Sequence, residues 1–173
     1  MSFRVMHYEG DKDLLIEKVK ATVDQLKNDE YKDSFDFDEG EWERAVDSVV
    51  NGDFSDSKVT SLVLNAAIGS SFPAISDDCF ARGYEALADR ASGKLAKTLR
   101  MFVDGRNFST GNLGFGWFNE INCGYLTSDE VREFLGLLKA YTPVEDDKEF
   151  VDLLIDTFSP LVEKNSGDLF TMC

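Results

Sequence analysis

Apolar residues recur three and four positions apart along most of the chain, which is the spacing of amphipathic helices. Polar and charged residues fill the positions between them. The pattern predicts about six to seven helices with one buried face each. The predicted inner faces are Leu15, Val19, Thr22, Val23 and Leu26; Trp42, Ala45, Val46 and Val49; Val59, Leu62, Val63 and Ala66; Phe80, Ala81, Tyr84, Leu87 and Ala88; Leu95, Leu99, Phe102 and Val103; Val131, Phe134, Leu135 and Leu138; and Phe150, Leu153, Leu154, Thr157, Phe158 and Leu161.

Capping and breaking residues predict where several of these helices begin and end. Asn51-Gly52 is a typical helix end. Asp77 or Asp78 is expected to cap the helix that carries Tyr84. Thr127 and Glu130 form a capping-box pattern at the start of another helix. In the last helix, Pro160 is expected to produce a kink or an early end.

Strand signals are fewer, and they occur in three short aromatic segments, 3–8, 113–118 and 168–172. No repeat and no Gly/Ser/Pro-rich linker divides the chain. The predicted fold is therefore mainly α with a small two- or three-stranded β element, and residues 1–173 are expected to form a single compact domain.

Charge is the strongest compositional signal, because 33 acidic residues outnumber 18 basic ones and give a net charge of −15. Such a chain is not expected to bind nucleic acid directly or to bind an anionic membrane, since both need clustered Lys and Arg. No apolar run approaches the roughly 18 residues of a membrane span, and no leader pattern opens the chain. Three widely spaced cysteines suit reduced thiols, so a cytoplasmic location is expected.

Residues 119–130 resemble an EF-hand calcium loop over the latter half of that loop, with Gly124 at the turn position, Leu126 at the apolar position and Glu130 at the twelfth. The first half lacks the ligands, because Ile121 and Cys123 occupy positions where calcium needs oxygen-bearing side chains. The pattern therefore predicts a turn at Gly124 that leads into a capped helix. The preceding aromatics, 113–118, either pack in the core or form a recognition surface, and core packing is favoured.

The inventory of catalytic residues is sparse. His7 is the one histidine, and it lies in a predicted strand, where a packing role is favoured over catalysis. Cys and His residues are too scattered for a zinc site, and Ser92-Gly93-Lys94 lacks most of a phosphate-binding loop. We expect no cofactor and no metal, although a catalytic pair among the many carboxylates stays open.

Basic residues concentrate in one central region that includes Arg82, Arg90, Lys94, Lys97 and Arg100. They either meet an acidic partner or a phosphate, or they are solvated or paired within the molecule. The second interpretation is favoured, because a charged helix face is most often solvated.

The clearest candidate binding segment is 29–43, which holds eight acidic residues and one basic residue, interleaved with aromatics. Negative charge steers encounter with a basic surface, and aromatic rings supply buried area. The alternative is a solvated loop whose aromatics turn into the core. The predicted partner-binding residues are Asp33, Asp36, Asp38, Glu39, Glu41 and Trp42.

Together these features favour a non-catalytic acidic binding protein, of the inhibitor or immunity type, that neutralises a basic toxin or nuclease in the cytoplasm. One alternative is a nucleic-acid-mimicking counter-defence protein of a phage or mobile element. A second alternative is a carboxylate-dependent hydrolase. The sequence leaves the identity of the partner and the oligomeric state open.

Overall fold

Helices make up most of the computed structural model, which describes residues 4–28, 38, 40–53, 58–106, 122–164 and 167–173. Within these residues there are eight helices and four strands. The helices are α1 (Lys12–Ala21), α2 (Val23–Lys27), α3 (Glu41–Val50), α4 (Lys58–Ser71), α5 (Ala81–Arg90), α6 (Gly93–Asp104), α7 (Ser128–Ala140) and α8 (Glu145–Glu163). The strands are β1 (Arg4–Gly10), β2 (Ala74–Phe80), β3 (Cys123–Leu126) and β4 (Asp168–Met172).

The four strands form one antiparallel sheet in the order β2-β1-β4-β3. The two central strands come from opposite ends of the described chain, and Met6 of β1 pairs with Met172 of β4. The mainly helical prediction is confirmed. The prediction of two or three strands is wrong, because the sheet has four strands in the described residues.

Helices cover both faces of the sheet, and the strands alternate their side chains between the two layers. On one face, α1 to α4 pack with Tyr8, Tyr125 and Phe170. On the other face, α5 to α8 pack with Val5, Leu126 and Leu169. The fold therefore has two hydrophobic cores, one on each side of the sheet.

The predicted inner faces of α3 and α7 coincide with the side chains that are buried in these helices. The capping box is also confirmed, since Thr127 caps α7 and Glu130 bonds back to the Thr127 backbone. The first predicted helix is divided at Thr22, whose hydroxyl donates to the Lys18 carbonyl at 3.0 Å. Such bonding of a threonine to its own backbone competes with helix continuation.

Strand β2 lies where the sequence predicts a loop and a helix cap. Asp77 and Asp78 belong to this strand, and α5 begins only at Ala81 with Phe80 at its N-cap position. The adjacent aspartates interrupt the apolar alternation by which a strand is recognised. Among the described strands β2 lies at the edge of the sheet, a position where charged residues are tolerated.

The predicted turn at Gly124 is wrong, because this glycine lies within β3 and pairs with Thr171 of β4. A β-carbon at this position would lie 2.6 Å from the Met101 sulfur and 2.9 Å from the Thr171 hydroxyl. The glycine therefore allows α6 to approach the sheet closely. The predicted strand at 113–118 lies outside the described residues.

Candidate functional site

A cleft of about 630 Å³ opens between α5 and the first half of α8. Its floor is apolar, and charged side chains surround it. The α5 side contributes Phe80, Arg82, Gly83, Ala86 and Arg90. The α8 side contributes Asp146, Asp147, Glu149, Phe150 and Leu153.

Two phenylalanines give the cleft its apolar character. Phe80, at the start of α5, is 43% exposed, which is unusual for so large an apolar side chain. Phe150 of α8 packs edge-on against Tyr84, with ring centroids 5.1 Å apart. It can approach this closely because α5 carries glycine at position 83, where a β-carbon would lie 2.8 Å from the Phe150 ring.

An ion pair between the buried Asp147 and the exposed Arg90 lies at one side of the cleft. Asp147 is only 4% exposed, and one of its carboxylate oxygens pairs with the Arg90 guanidinium. Its second oxygen, Oδ2, is buried and has no hydrogen-bond partner in the part of the chain that the structure describes. A buried carboxylate oxygen without a donor is energetically costly, which makes it a natural acceptor for a cationic or hydrogen-bonding ligand.

A row of four carboxylates runs along α8 beside the cleft, at Glu145, Glu149, Asp152 and Asp156. The spacing of four, three and four residues places them on one exposed face over about 16 Å of helix. None of the four forms an ion pair with another described residue, although the exposed Lys148 lies on the same surface. We call these four residues the α8 acidic row.

The basic central residues are largely paired within the molecule. Arg90 pairs with Asp147, Lys94 with Glu133 and Arg100 with Asp89. Among the described residues, their partners lie on α5, α7 and α8 rather than in segment 29–43. The interpretation as internal pairing is therefore favoured for these three residues.

Arg106 pairs with the capping glutamate of α7, at 2.7 Å from Glu130 Oε2, and also stacks over the Tyr125 ring at 4.5 Å. Burial raises the pKa of Glu130, but the Arg106 guanidinium and the Thr127 N–H outweigh it and hold that pKa below the usual value. This contact ties the end of α6 to the start of α7, so its role is structural.

Of the six predicted partner-binding residues, Asp33, Asp36 and Glu39 lie outside the described residues. Asp38 is exposed just before α3. Glu41 turns back, and its carboxylate accepts the Asp38 N–H at 3.1 Å. Among the described residues, the bond between Asp38 and Glu41 closes the start of α3, and it does not arrange the two carboxylates into a shared site.

The prediction that Trp42 binds a partner is wrong, because this side chain lies in the core and not on the surface. It is 1% exposed, and its indole N–H donates to the Leu26 carbonyl at 2.7 Å. This bond joins α3 to α2. A ring held in this way is not available to a partner, and for Trp42 the alternative of an aromatic turned into the core is the one observed.

His7 lies inside the core that α5 to α8 form on the sheet, and its Nε2 is 2.8 Å from the Tyr84 hydroxyl. The rings of Phe102 and Phe158 pack edge-on against it. Burial lowers the pKa of His7 to about 3, and the Ser76 backbone offsets this only in part. The imidazole is therefore neutral and enclosed at physiological pH, which fits packing rather than proton transfer.

The three cysteines are free thiols. Cys123 lies 2.8 Å from the Asn65 side-chain oxygen, and burial raises the pKa of its thiol. Burial and the charges of Glu85 and Asp104 raise the pKa of Cys173 to about 11. Neither thiol is a thiolate at neutral pH, so neither is an activated nucleophile. The described residues also contain no group of three or more His, Cys, Asp or Glu side chains arranged to hold a metal ion.

Neither the cleft nor the α8 acidic row was identified from the sequence, although a signal for the row was present. The acids of EDDKEFVDLLID recur at helical spacing opposite the apolar face that the pattern assigned to the core. The cleft had no such signal, because it depends on how α5 and α8 pack around Gly83.

Comparison with protein-family models, with curated proteins and with solved structures finds no match for this chain. None of the helices in the described residues is both long and apolar enough to span a bilayer.

Proposed function

We propose that this chain is a non-catalytic binding protein that neutralises a basic protein, such as a toxin or nuclease, in the cytoplasm. The observation that carries the proposal is the α8 acidic row, four exposed carboxylates without cationic partners in the described structure, beside an apolar cleft. Negative potential steers a basic partner, and apolar surface supplies the buried area that holds it.

The charge of the whole chain supports this proposal. Net negative charge of this size favours encounter with basic macromolecules and disfavours nucleic acid and anionic lipid. The environment of the histidine and of two cysteines supports a non-catalytic role. His7 is enclosed in the core, and the raised pKa values of Cys123 and Cys173 keep their thiols protonated.

A carboxylate-dependent hydrolase is the second candidate, favoured by the three carboxylates in the cleft lining, Asp146, Asp147 and Glu149. We rank it lower because Asp147 is already neutralised by Arg90. A nucleic-acid mimic needs acids at phosphate-like intervals over a long surface, whereas the α8 acidic row extends only about 16 Å.

The proposal is tested by affinity capture from the native host followed by mass spectrometry, using the wild-type chain and two charge-reversal variants. One variant changes Glu149→Lys and Asp152→Lys in the α8 acidic row. The matched control changes Glu17→Lys and Asp24→Lys, exposed acids of α1 and α2 on the opposite side of the sheet. We expect a basic protein to bind the wild type and the control with equal affinity. Its affinity for the α8 variant should be lower by at least about tenfold.

The captured protein is then assayed for its own activity in the saturated complex. Loss of that activity supports neutralisation, and full activity in the complex contradicts it. Because segment 29–43 is a separate proposed surface, a third variant with Asp36, Asp38 and Glu39 all changed to Lys measures its share. Equal affinity for the wild type and both acidic-surface variants would show that neither surface binds the partner.

A further inference from the structure

The cleft between α5 and α8 and the α8 acidic row form one continuous surface, since Glu149 and Leu153 contribute to both. We propose that this surface binds a basic amphipathic segment of the partner, with an aromatic or aliphatic side chain in the cleft and Lys or Arg along the row. The inference rests on the proposed function and specifies its contact.

Three observations about the cleft itself point to an apolar anchor. Phe80 is 43% exposed at the rim. Phe150 and Leu153 line the α8 side and are only half-buried. On α5, Ala86 presents only a methyl group to the cleft, and Gly83 lets the Phe150 ring pack directly against the helix. Interface anchors are large apolar side chains that fill pockets of this kind.

Asp147 lines the cleft, and its enclosed Oδ2 has no hydrogen-bond partner among the described residues. Arg90 already holds the other oxygen, so a second donor from a bound segment would pair with Oδ2 once the Asp147 side chain turns toward the cleft. A Lys ammonium or an amide N–H next to the apolar anchor would supply that donor. This acceptor is independent of the acidic row, because it is buried whereas the row is exposed.

The geometry of the α8 acidic row favours a helical segment. Its residues repeat every three or four positions, so a partner helix lying along α8 with basic residues at the same spacing would meet each of them. An apolar stripe adjacent to that basic stripe would then face the cleft, as in a helix that lies in a groove. The negative charge of the row and the spacing of its residues therefore both favour a basic amphipathic helix as the bound segment.

The experiment uses fluorescent synthetic peptides and the full chain. The first probe is a Lys-rich peptide whose Trp and Leu recur at helical spacing, and the second has the same composition in scrambled order. Ala86→Trp fills the cleft from α5, and Phe80→Ala removes the exposed anchor ring. Ala140→Trp, on an exposed position of α7, is the matched control. Urea unfolding checks that each variant is folded.

We expect the patterned peptide to bind the wild type and Ala140→Trp equally, and to bind Ala86→Trp about tenfold more weakly. Phe80→Ala should weaken it in the same direction, which keeps the test decisive if Ala86→Trp does not fold. Equal binding of the patterned and scrambled peptides, or unchanged binding by both cleft variants, would overturn the inference.

The two proposals fail in different ways. If reversal of the α8 acidic row weakens the captured partner while both cleft variants bind it normally, the cleft inference is wrong and the proposed function stands. If duplex DNA displaces the captured partner, the occupied surface imitates a nucleic acid and the inference is wrong. If neither the peptides nor any basic protein binds the wild type, the proposed function fails as well.

Discussion

The hydrogen bond between His7 and Tyr84 joins the central strand β1 to α5 inside a core that has few other polar groups. Burial of the imidazole makes it neutral, with a pKa of about 3 against about 6.5 in an unfolded chain. Burial also raises the pKa of Tyr84, and the neighbouring Cys79 adds to that effect. Both groups are therefore uncharged across the physiological range.

We predict that His7 makes the chain less stable as the pH falls below about 6.5. Between that pH and about 3, the unfolded chain binds one proton that the folded chain does not, so the free energy of unfolding falls by about 1.4 kcal/mol per pH unit. From pH 7 to pH 5 the loss is about 2 kcal/mol. Urea unfolding of the wild type and His7→Gln at both pH values measures it.

His7→Gln keeps an acceptor for the Tyr84 hydroxyl but does not titrate, so subtracting its pH dependence removes the effect of the many carboxylates. Glu130, whose pKa is lowered, also makes the chain less stable on acidification, but it does so at lower pH and equally in both proteins. Parallel pH dependence in the two proteins between pH 5 and pH 7 would contradict the assignment.

Burial follows the helical repeat in α3 and α7, but the prediction that Phe80 faces inward from a helix is wrong, because this residue ends β2 and is 43% exposed. All four predicted inner residues of α3 are buried, and so are all four of α7. The helical repeat predicts which face of a helix carries a residue, but it does not distinguish core packing from partner binding. Trp42 fitted both a core position and a binding aromatic in an acidic segment, and only its bond to the Leu26 carbonyl distinguishes the two.

At the scale of elements, two helical glycines show how packing decides what a substitution does. Gly83 of α5 faces the Phe150 ring of α8, whereas a β-carbon added at Gly136 of α7 would have no atom of the described residues within 4 Å. Alanine stabilises a helix interior relative to glycine by roughly 0.5–1 kcal/mol where space permits. The same substitution therefore has opposite effects at the two positions.

We predict that Gly136→Ala raises the free energy of unfolding by about 0.5–1 kcal/mol. Gly83→Ala should lower it by about 1 kcal/mol, because the new methyl group would lie 2.8 Å from a Phe150 ring carbon and displace the ring. Urea unfolding of the two variants and the wild type checks both values. If Gly83→Ala stabilised the chain as much as Gly136→Ala does, the Phe150 ring would be able to move aside at little energetic cost.

Strands were less predictable than helices, for reasons that differ between β2 and β3. An edge strand such as β2 tolerates Asp77 and Asp78, which hide its alternation. In β3, Gly124 resembles a turn residue in sequence, but it is selected by the approach of Met101 from α6. Contacts between distant segments determine both strands, and the cleft between α5 and α8 depends on such contacts too.

At the scale of the whole molecule, the net charge of −15 opposes folding, because a compact chain brings like charges together. Ion pairs such as Lys94 with Glu133 and Arg100 with Asp89 are exposed and contribute little. Salt screens both the repulsion among the acidic residues and the attraction within the ion pairs. Because the repulsion is larger, added salt should stabilise the folded chain.

We predict that raising sodium chloride from about 0.01 M to about 0.1 M, which shortens the Debye length from about 30 Å to about 10 Å, increases the urea midpoint of unfolding. The double variant Glu17→Lys and Asp24→Lys, which is four charges less negative, should show a smaller increase. A midpoint that falls with salt in the wild type would mean that attractive pairs dominate its electrostatics.

The place of β1 and β4 in the middle of the sheet also bears on how fast the chain reaches its native state. Pairing Met6 with Met172 requires closure of a loop that contains all eight described helices. Helices with local contacts form early, whereas pairings this distant in sequence slow the rate-limiting step. We therefore expect slow refolding, through species in which helices have formed while the edges of β1 and β4 are still unpaired.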